Sequence, residues 1–568
     1  MMRAWFPAAI LSATALTCGS ASQAQEADAG ERLWEEVRRT QALESLAGGG
    51  PGHAITSDET PGVVAETPCF PIDNIELSGF TVFASAHFTP LLAEFSGRCL
   101  GQVSINNLLG GISAIYADAG YITTRAYVPA QDISGRQLQV EVIEGRIEAF
   151  EYIQLDKDGQ QRDAPRRKIL TAMPQAEGDV FQLRDLEHGL EQMNRLRSTQ
   201  VNANLTAGEA PGTSRIMLTE KRSDPLRGTF SLTRQSGEEG EQLQISSRLE
   251  VDDLLRLNDS WSLALSGSRD SNALALSMSL PWKRWLFSAA ASYSEELSVV
   301  SPTADLLTQT ATVNLSAERI VLRTARSNYF TYARLSSYWN ERFINVAELT
   351  PQHRSALSFG LRQEHRMESW LFSADTALSF GVGWLGADRD AGDMARSSPR
   401  TDYTKLETRL TYIRPFEDGR QLSVYLLGQM ADVPLYGNEQ LSIGGWETVR
   451  GYSGGSVSGE SGAYLRAELT FPTDELDFTR FGQDIGDTWR NPFRRAFGGI
   501  RTFAFLDAGR IQNRAGDFSV DLLGAGAGVS AQLGIFTVDG ALAFPLVPHA
   551  GRKRGDYEAQ LGLSINLF

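Results

Sequence analysis

The sequence predicts a mainly β fold: a 16-stranded antiparallel transmembrane β-barrel, preceded by two small α+β modules and an N-terminal helix. Three observations carry this expectation. An apolar run near the N-terminus reads as an export signal. Hydrophobic residues make up 42% of the 568-residue chain, yet after residue 20 no run of about 18 apolar residues occurs, so no spanning helix follows the N-terminus. From residue 223 onward, apolar and polar residues alternate with the two-residue period of strands that have one greasy face and one wet face. A bilayer can be crossed by a closed cylinder of such strands, each about ten residues long and invisible to hydropathy windows.

The elements follow in order. Residues 1–24 hold one cation, Arg3, then "AWFPAAILSATAL", then small residues, with Ser22 and Ala24 placed for cleavage before Gln25. Cys18 allows a lipoprotein reading, which Thr17 fits poorly because that cleavage prefers a small residue. Residues 25–48 are rich in helix formers, with Leu33, Trp34 and Val37 forming a narrow apolar stripe. Gly, Pro and Thr make 49–68 a linker.

Residues 69–146 form the first module. Ile105, Leu108, Leu109, Ile112, Ile115 and Tyr116 have helical spacing behind a cap expected at Ser104, and Leu138, Val140 and Val142 alternate as a half-buried strand. Residues 147–222 repeat the order strand, short helix, helix, strand, strand, with Leu183, Leu186, Leu190, Met193 and Leu196 on one helical face. Repetition of an element order is an architectural duplication. Cys69 and Cys99 are the two cysteines left after the signal, and an exported chain permits them to bridge; two buried free thiols are the alternative.

Residues 223–568 are the barrel. In "YTKLETRLTYI", Leu406, Leu410 and Tyr412 oppose Lys405, Glu407 and Arg409; in "YLRAELTF", Leu465, Ala467, Leu469 and Phe471 oppose Arg466 and Glu468. Aromatic residues such as Trp261, Trp282, Trp285, Tyr338 and Trp339 stand near strand ends, as at a membrane interface. A propeller or large sandwich is the soluble alternative, but no motif repeats blade by blade. Phe568 supplies a terminal aromatic residue, although Leu561, Leu563, Ile565 and Leu567 occupy the opposite parity, so a terminal bulge is expected to restore phase.

The motifs then narrow the reading. "GYITTRAYVPAQDISGRQLQVEVIEGRIE" in the first module, "LRDLEHGLEQMNRLRS" in the second, "VRGY" in a Gly-rich connection and "FLDAG" on a later strand together resemble the TpsB-type outer-membrane transporters of two-partner secretion, the haemolysin and filamentous-haemagglutinin exporters. The resemblance implies that the modules are periplasmic POTRA domains. It also implies that they recognise a secreted, unfolded TpsA-type exoprotein, which leaves through a monomeric barrel set in outer-membrane lipid, and that the helix at 25–48 plugs the pore at rest. Carried onto this chain, the site is Val449, Arg450, Gly451 and Tyr452 on a loop folded into the lumen, with Arg450 meeting Asp507 on the strand that also bears Phe505 and Gly509. The strand edge at 123–128, or the helix beside it, is a candidate contact for the exoprotein.

Other chemistry finds little support. "GYSGG" fits the nucleophile pattern G-x-S-x-G with Asp507 and His549 in chain order behind Ser453, but its Gly-rich flanks lead into strands and not into the helix such an elbow requires. "GAGAG" at 524–528 is followed by strands, so it is not a nucleotide loop and is expected to relieve crowding in the barrel wall. Neither a metal motif nor a phosphate-binding motif occurs, no cofactor is expected, and a net charge of −16 argues against a nucleic-acid partner. The chain is expected not to be an enzyme. A factor that assembles other barrels and a passive porin remain as rivals.

Overall fold

The computed structural model describes residues 62–568 apart from 156–159, 164, 238–239, 325, 454, 473–499, 514–517 and 568. The expected signal, N-terminal helix, linker as far as residue 61 and Phe568 lie outside the described residues.

In the first module, β1 (Phe70–Ile72) pairs with β3 (Arg98–Leu100), while β2 (Asn74–Ser78), β4 (Arg125–Tyr127) and β5 (Gln137–Ile143) form a sheet in the order β2-β5-β4. Helices α1 (Thr89–Phe95) and α2 (Gln102–Asp118) cover it. Leu108, Ile112 and Tyr116 of α2 are fully buried against Leu138, Val140 and Val142 of β5, in one core with Phe88 and Phe95. The cap differs from expectation. The helix begins three residues earlier, behind Gly101, and Ser104 is buried within its first turn. The free N–H groups of Val103 and Ser104 donate to the Glu66 carboxylate at 2.9 and 2.8 Å, which meets the need of a helix N-terminus from the preceding segment. These donors hold the Glu66 carboxyl below its ordinary range.

Cys69 and Cys99 are joined, with their Cα atoms 5.3 Å apart. This bridge ties β1 to β3 across the register pair Pro71–Cys99. Closing a loop of about 30 residues stabilises such a module by about 3.6 kcal/mol in the chain-entropy model. Cys69→Ser/Cys99→Ser is therefore expected to lower the melting transition of the first module while the barrel's own transition stays put, a split that calorimetry in detergent resolves.

The second module contains β6 (Arg146–Leu155), β7 (Gln161–Asp163), β8 (Thr199–Ala207), β9 (Thr213–Arg222), α3 (Arg167–Ala172) and α4 (Leu183–Asn194), with sheet order β7-β6-β9-β8. In each module the first long strand runs parallel to the last and the penultimate strand antiparallel to it (β2, β5 and β4; β6, β9 and β8). The duplication is thus one of topology as well as element order.

After Arg222, sixteen long strands close into a barrel, and the two-residue strand Ala347–Glu348 extends one hairpin. The first strand, Leu226–Gly237, pairs with the last, Glu558–Asn566, from Thr229↔Asn566 to Ser236↔Ala559. That pairing runs without a register shift. No bulge restores phase within the described residues, and Leu561 and Leu563 point outward. Burial on the wall is inverted relative to a water-soluble protein. Leu243, Ile245, Leu274, Leu276, Leu315 and Leu406 are exposed, whereas the side chains of Lys405, Glu407 and Arg409 are 12%, 18% and 17% exposed. Such a surface is stable only against hydrocarbon, and its ladders pair the backbone groups strand to strand, with register shifts at Val299/Ser301 and Ile320/Leu322.

The second module is fastened to the near rim of the barrel. Lys168 of α3 is 1% exposed and bridges Glu220 of β9 at 2.9 Å and Asp253 of the first barrel turn at 3.1 Å. Asn258 of the same turn donates to the Lys168 carbonyl at 2.8 Å. On α4, Asp185 accepts from Arg284 at 2.7 Å, Glu191 pairs with Arg323, and His188 Nε2 meets the Lys283 carbonyl at 3.1 Å. Burial holds the His188 imidazole below its ordinary pKa.

Candidate functional site

At the far end, the connection from Ala431 to Ser461 folds back into the cylinder. Its limbs pair as a short hairpin, Leu441–Ile443 with Val457–Gly459. Between them, residues 444–453 and Gly455 belong to the tip. Apolar side chains inside a lumen need a reason, and here it is packing. Val449 and Tyr452 are fully buried with Ile443, Tyr464, Ile511 and Leu522, so a small core joins loop to wall.

Arg450 is 4% exposed. Its Nε donates to Asp507 Oδ2 at 2.6 Å and its Nη2 to Asp507 Oδ1 at 2.9 Å, a two-pronged pairing that a planar guanidinium makes and an ammonium cannot. The Arg450 backbone N–H adds a third bond to Asp507 Oδ2 at 3.2 Å, and Nη1 reaches Glu468 Oε2 at 3.1 Å. The guanidinium carbon lies 3.5 Å above the Phe505 ring, close enough for a cation–π contact. Asp507 is 0% exposed, so its charge depends wholly on these donors. Phe505, Asp507 and Gly509 share the inner face of the strand Ile500–Asn513, while Leu506 between them is 48% exposed on the outer face.

Three glycine positions are required by contact. Gly451 has φ +101°, and a Cβ there would lie 3.0 Å from the Pro545 nitrogen. Opposite, a Cβ on Gly524 would run into the Arg450 carbonyl. Within the strand Phe518–Leu533, Gly524 of the "GAGAG" segment thus clears the loop, while Cβ atoms on Gly526 and Gly528 would run into Phe505 and Phe503 and the carbonyls of Leu542 and Gly540, so these two relieve crowding in the wall itself. On Gly509, a Cβ would fall 2.9 Å from Val449 Cγ2. Tyr452 ends the motif with its hydroxyl 2.8 Å from the carbonyls of both Leu523 and Val547.

A second anchor has no signature in the sequence. Glu558, the first residue of the last strand, accepts from the Ser453 N–H at 2.6 Å and from Ser453 Oγ at 2.9 Å, and it pairs with Arg552 at 2.8 Å; Glu558 is 0% and Arg552 5% exposed. Ser453 Oγ thus donates to a carboxylate and not to an imidazole, which leaves the hydrolase reading without its base. Glu558 escaped notice because a lone acidic residue at a strand start has no pattern until the loop is folded. A third anchor, Lys405 Nζ to Glu439 Oε2 at 2.6 Å, holds the descending limb. Glu558→Gln keeps the size and loses the charge. It is expected to make the loop more open to protease, by about 3 to 5 kcal/mol of lost anchoring where Arg552 is stranded. Cleavage near Ser453 in folded protein, compared with wild type, measures this.

The family model described as haemolysin secretion/activation protein ShlB/FhaC/HecB matches residues 212–531, a ShlB-type POTRA domain matches 70–145 and a further POTRA domain matches 146–207. The chain is 29% identical over 480 residues to the outer membrane transporter CdiB of Dickeya dadantii, covering 82% of this chain and 80% of that protein. It is 27% identical over 477 residues to the hemolysin transporter protein ShlB of Serratia marcescens, covering 79% and 80%. The solved structure of CdiB from Escherichia coli superposes with a TM-score of 0.80 at 26% identity, over 95% of this chain and 97% of that one.

Proposed function

The chain belongs to the haemolysin secretion/activation family ShlB/FhaC/HecB, and from that membership we propose that it is an outer-membrane transporter that exports a partner exoprotein in two-partner secretion. Its module end faces the periplasm and its looped end faces outward. The observation that carries the reading is a lipid-facing closed cylinder whose lumen holds an anchored loop, with two POTRA modules fixed at its mouth. A passive porin would leave the modules and the loop anchors without a task.

The exoprotein arrives unfolded, as an extended chain whose main-chain groups a strand edge can pair. The edge offered by Arg125–Tyr127, which pairs with β5 on one side, and helix α2 beside it suit that role. The chain then passes through a monomeric barrel in contact with outer-membrane lipid, and folding of the cargo outside makes the passage directional. Arg450 and its partners act as a latch that registers the loop in the lumen. Residues 26–47, long enough as a helix at about 33 Å to cross a hydrocarbon core, close the pore at rest. Removing residues 26–47 is expected to raise single-channel conductance or open frequency in planar bilayers, and unchanged traces would remove the plug from this account.

Co-expression with candidate exoproteins, assayed in the medium, tests the function. Release of one defined partner with unchanged levels of other outer-membrane proteins is the expected result. A general fall in barrel proteins on deletion would favour the assembly-factor reading.

A further inference from the structure

We propose that the corner where the second module meets the barrel's Trp282–Trp285 turn binds the phosphate of an anionic phospholipid from the periplasmic leaflet. The starting observation is an arginine on the wrong face. Arg319 lies on the strand Ala304–Arg323 with the parity of Val313 and Leu315, which are 36% and 49% exposed on the lipid side. Its cross-strand neighbour is Trp285, and its guanidinium carbon stands 5.4 Å from that ring. Among the described residues, no carboxylate pairs with it. A cation on the bilayer face is costly unless it reaches an anion at the headgroup level, and this one sits at the level of the rim.

The neighbouring turn adds a second uncommitted cation. Lys283 has φ +56°, its N–H donates to the Thr171 carbonyl at 2.5 Å, and its own carbonyl meets His188, so its backbone is pinned to the second module. Its exposed side chain has no carboxylate partner among the described residues. Arg284 differs, since Asp185 takes both prongs of its pairing. A cleft of about 600 Å³ opens here, lined by Lys283, Arg319, Trp282 and Trp285 from the barrel and by Asp179 and Asp185 from the second module. Asp185 is committed to Arg284, and Asp179 Oδ2 accepts the Ala176 N–H at 2.7 Å. Against the charge of Asp179, Lys283 and Arg319 leave the cleft one positive charge in excess for an incoming anion, on a protein whose net charge is −16. Trp282, 50% exposed, and Trp285, 36% exposed, place amphipathic rings beside them at the depth where such rings favour the headgroup region. A phosphodiester held there touches barrel and module at once.

The probe is dihexanoyl-phosphatidylglycerol, titrated into the full chain in detergent and followed by native mass spectrometry. One saturable lipid is expected. Lys283→Gln/Arg319→Gln is expected to weaken it roughly tenfold or more, since two charge-assisted contacts are lost. Arg319→Lys should retain most of the affinity, which separates charge recognition from loss of fold. Single Arg319→Gln keeps the test usable should the double variant fail to give heat-modifiable, folded barrel. Unchanged affinity in the glutamine variants, or equal binding of dihexanoyl-phosphatidylcholine, overturns the proposal. Displacement of the lipid by inorganic phosphate at matched ionic strength and equal concentration also overturns it, in favour of a free-anion site.

Discussion

Arg450→Ala is expected to leave a barrel that inserts and resists unfolding by detergent at room temperature, yet loses most export. The wall is held by sixteen hydrogen-bonded strands, none of which needs the loop for its ladder. The loop, by contrast, loses three side-chain bonds and its cation over Phe505 in one change. Asp507 is left fully buried with one backbone donor, a situation that costs about 3 to 5 kcal/mol. The remaining contacts of Tyr452 and Ser453 cannot restore the tip's register, because they lie beyond the charge that fixes it. Arg450→Lys should fall between the two, since an ammonium replaces the charge but not the paired geometry. Heat-modifiable mobility reports the barrel, and exoprotein in the medium reports export. Normal secretion by the alanine variant would refute the latch.

Lys168→Met is expected to loosen the second module from the barrel without opening the barrel itself. The lysine touches both Glu220 of β9 and Asp253 of the first turn, and both carboxylate side chains are at most 1% exposed. Arg222, 3.7 Å from Asp253, remains as a partial substitute. Stranding two carboxylates costs on the order of 3 to 5 kcal/mol, against less than about 1 for the pair Arg284–Asp185, whose arginine is half-exposed. Hydrogen exchange in detergent should therefore show protection falling in α3 and the 253–259 turn, with the barrel strands unchanged. Arg284→Gln should hardly move it. Equal protection in Lys168→Met and wild type would mean that hydrogen bonds such as Asn258 to the Lys168 carbonyl suffice at the junction.

Much of this architecture was legible because its signal is periodic. Leu138, Val140 and Val142, or Leu406 against Lys405 and Glu407, declare which face they take by position alone, and a closed sheet preserves that parity over every strand. The internal loop was legible for a different reason: Arg450 and Asp507 sit in two short motifs whose resemblance pairs them. What escaped was whatever depends on non-local approach. Glu66 reaches α2 from outside the helix, so a cap sought within the first turn fell on Ser104 instead. Glu558 and Arg552 meet Ser453 across about a hundred residues, and Lys168 meets Asp253 across a module boundary. No spacing rule relates such positions, because the fold alone brings them together.

The glycine track beneath the loop has a consequence for repeated use. Gly509 and Gly524 belong to strands locked in ladders with their neighbours, so the slot is cut into the scaffold and is not assembled by the segment that fills it. Withdrawing that segment leaves the slot's shape intact, with Asp507 waiting at its bottom. A keyway of this kind would offer a displaced loop one alignment to return to.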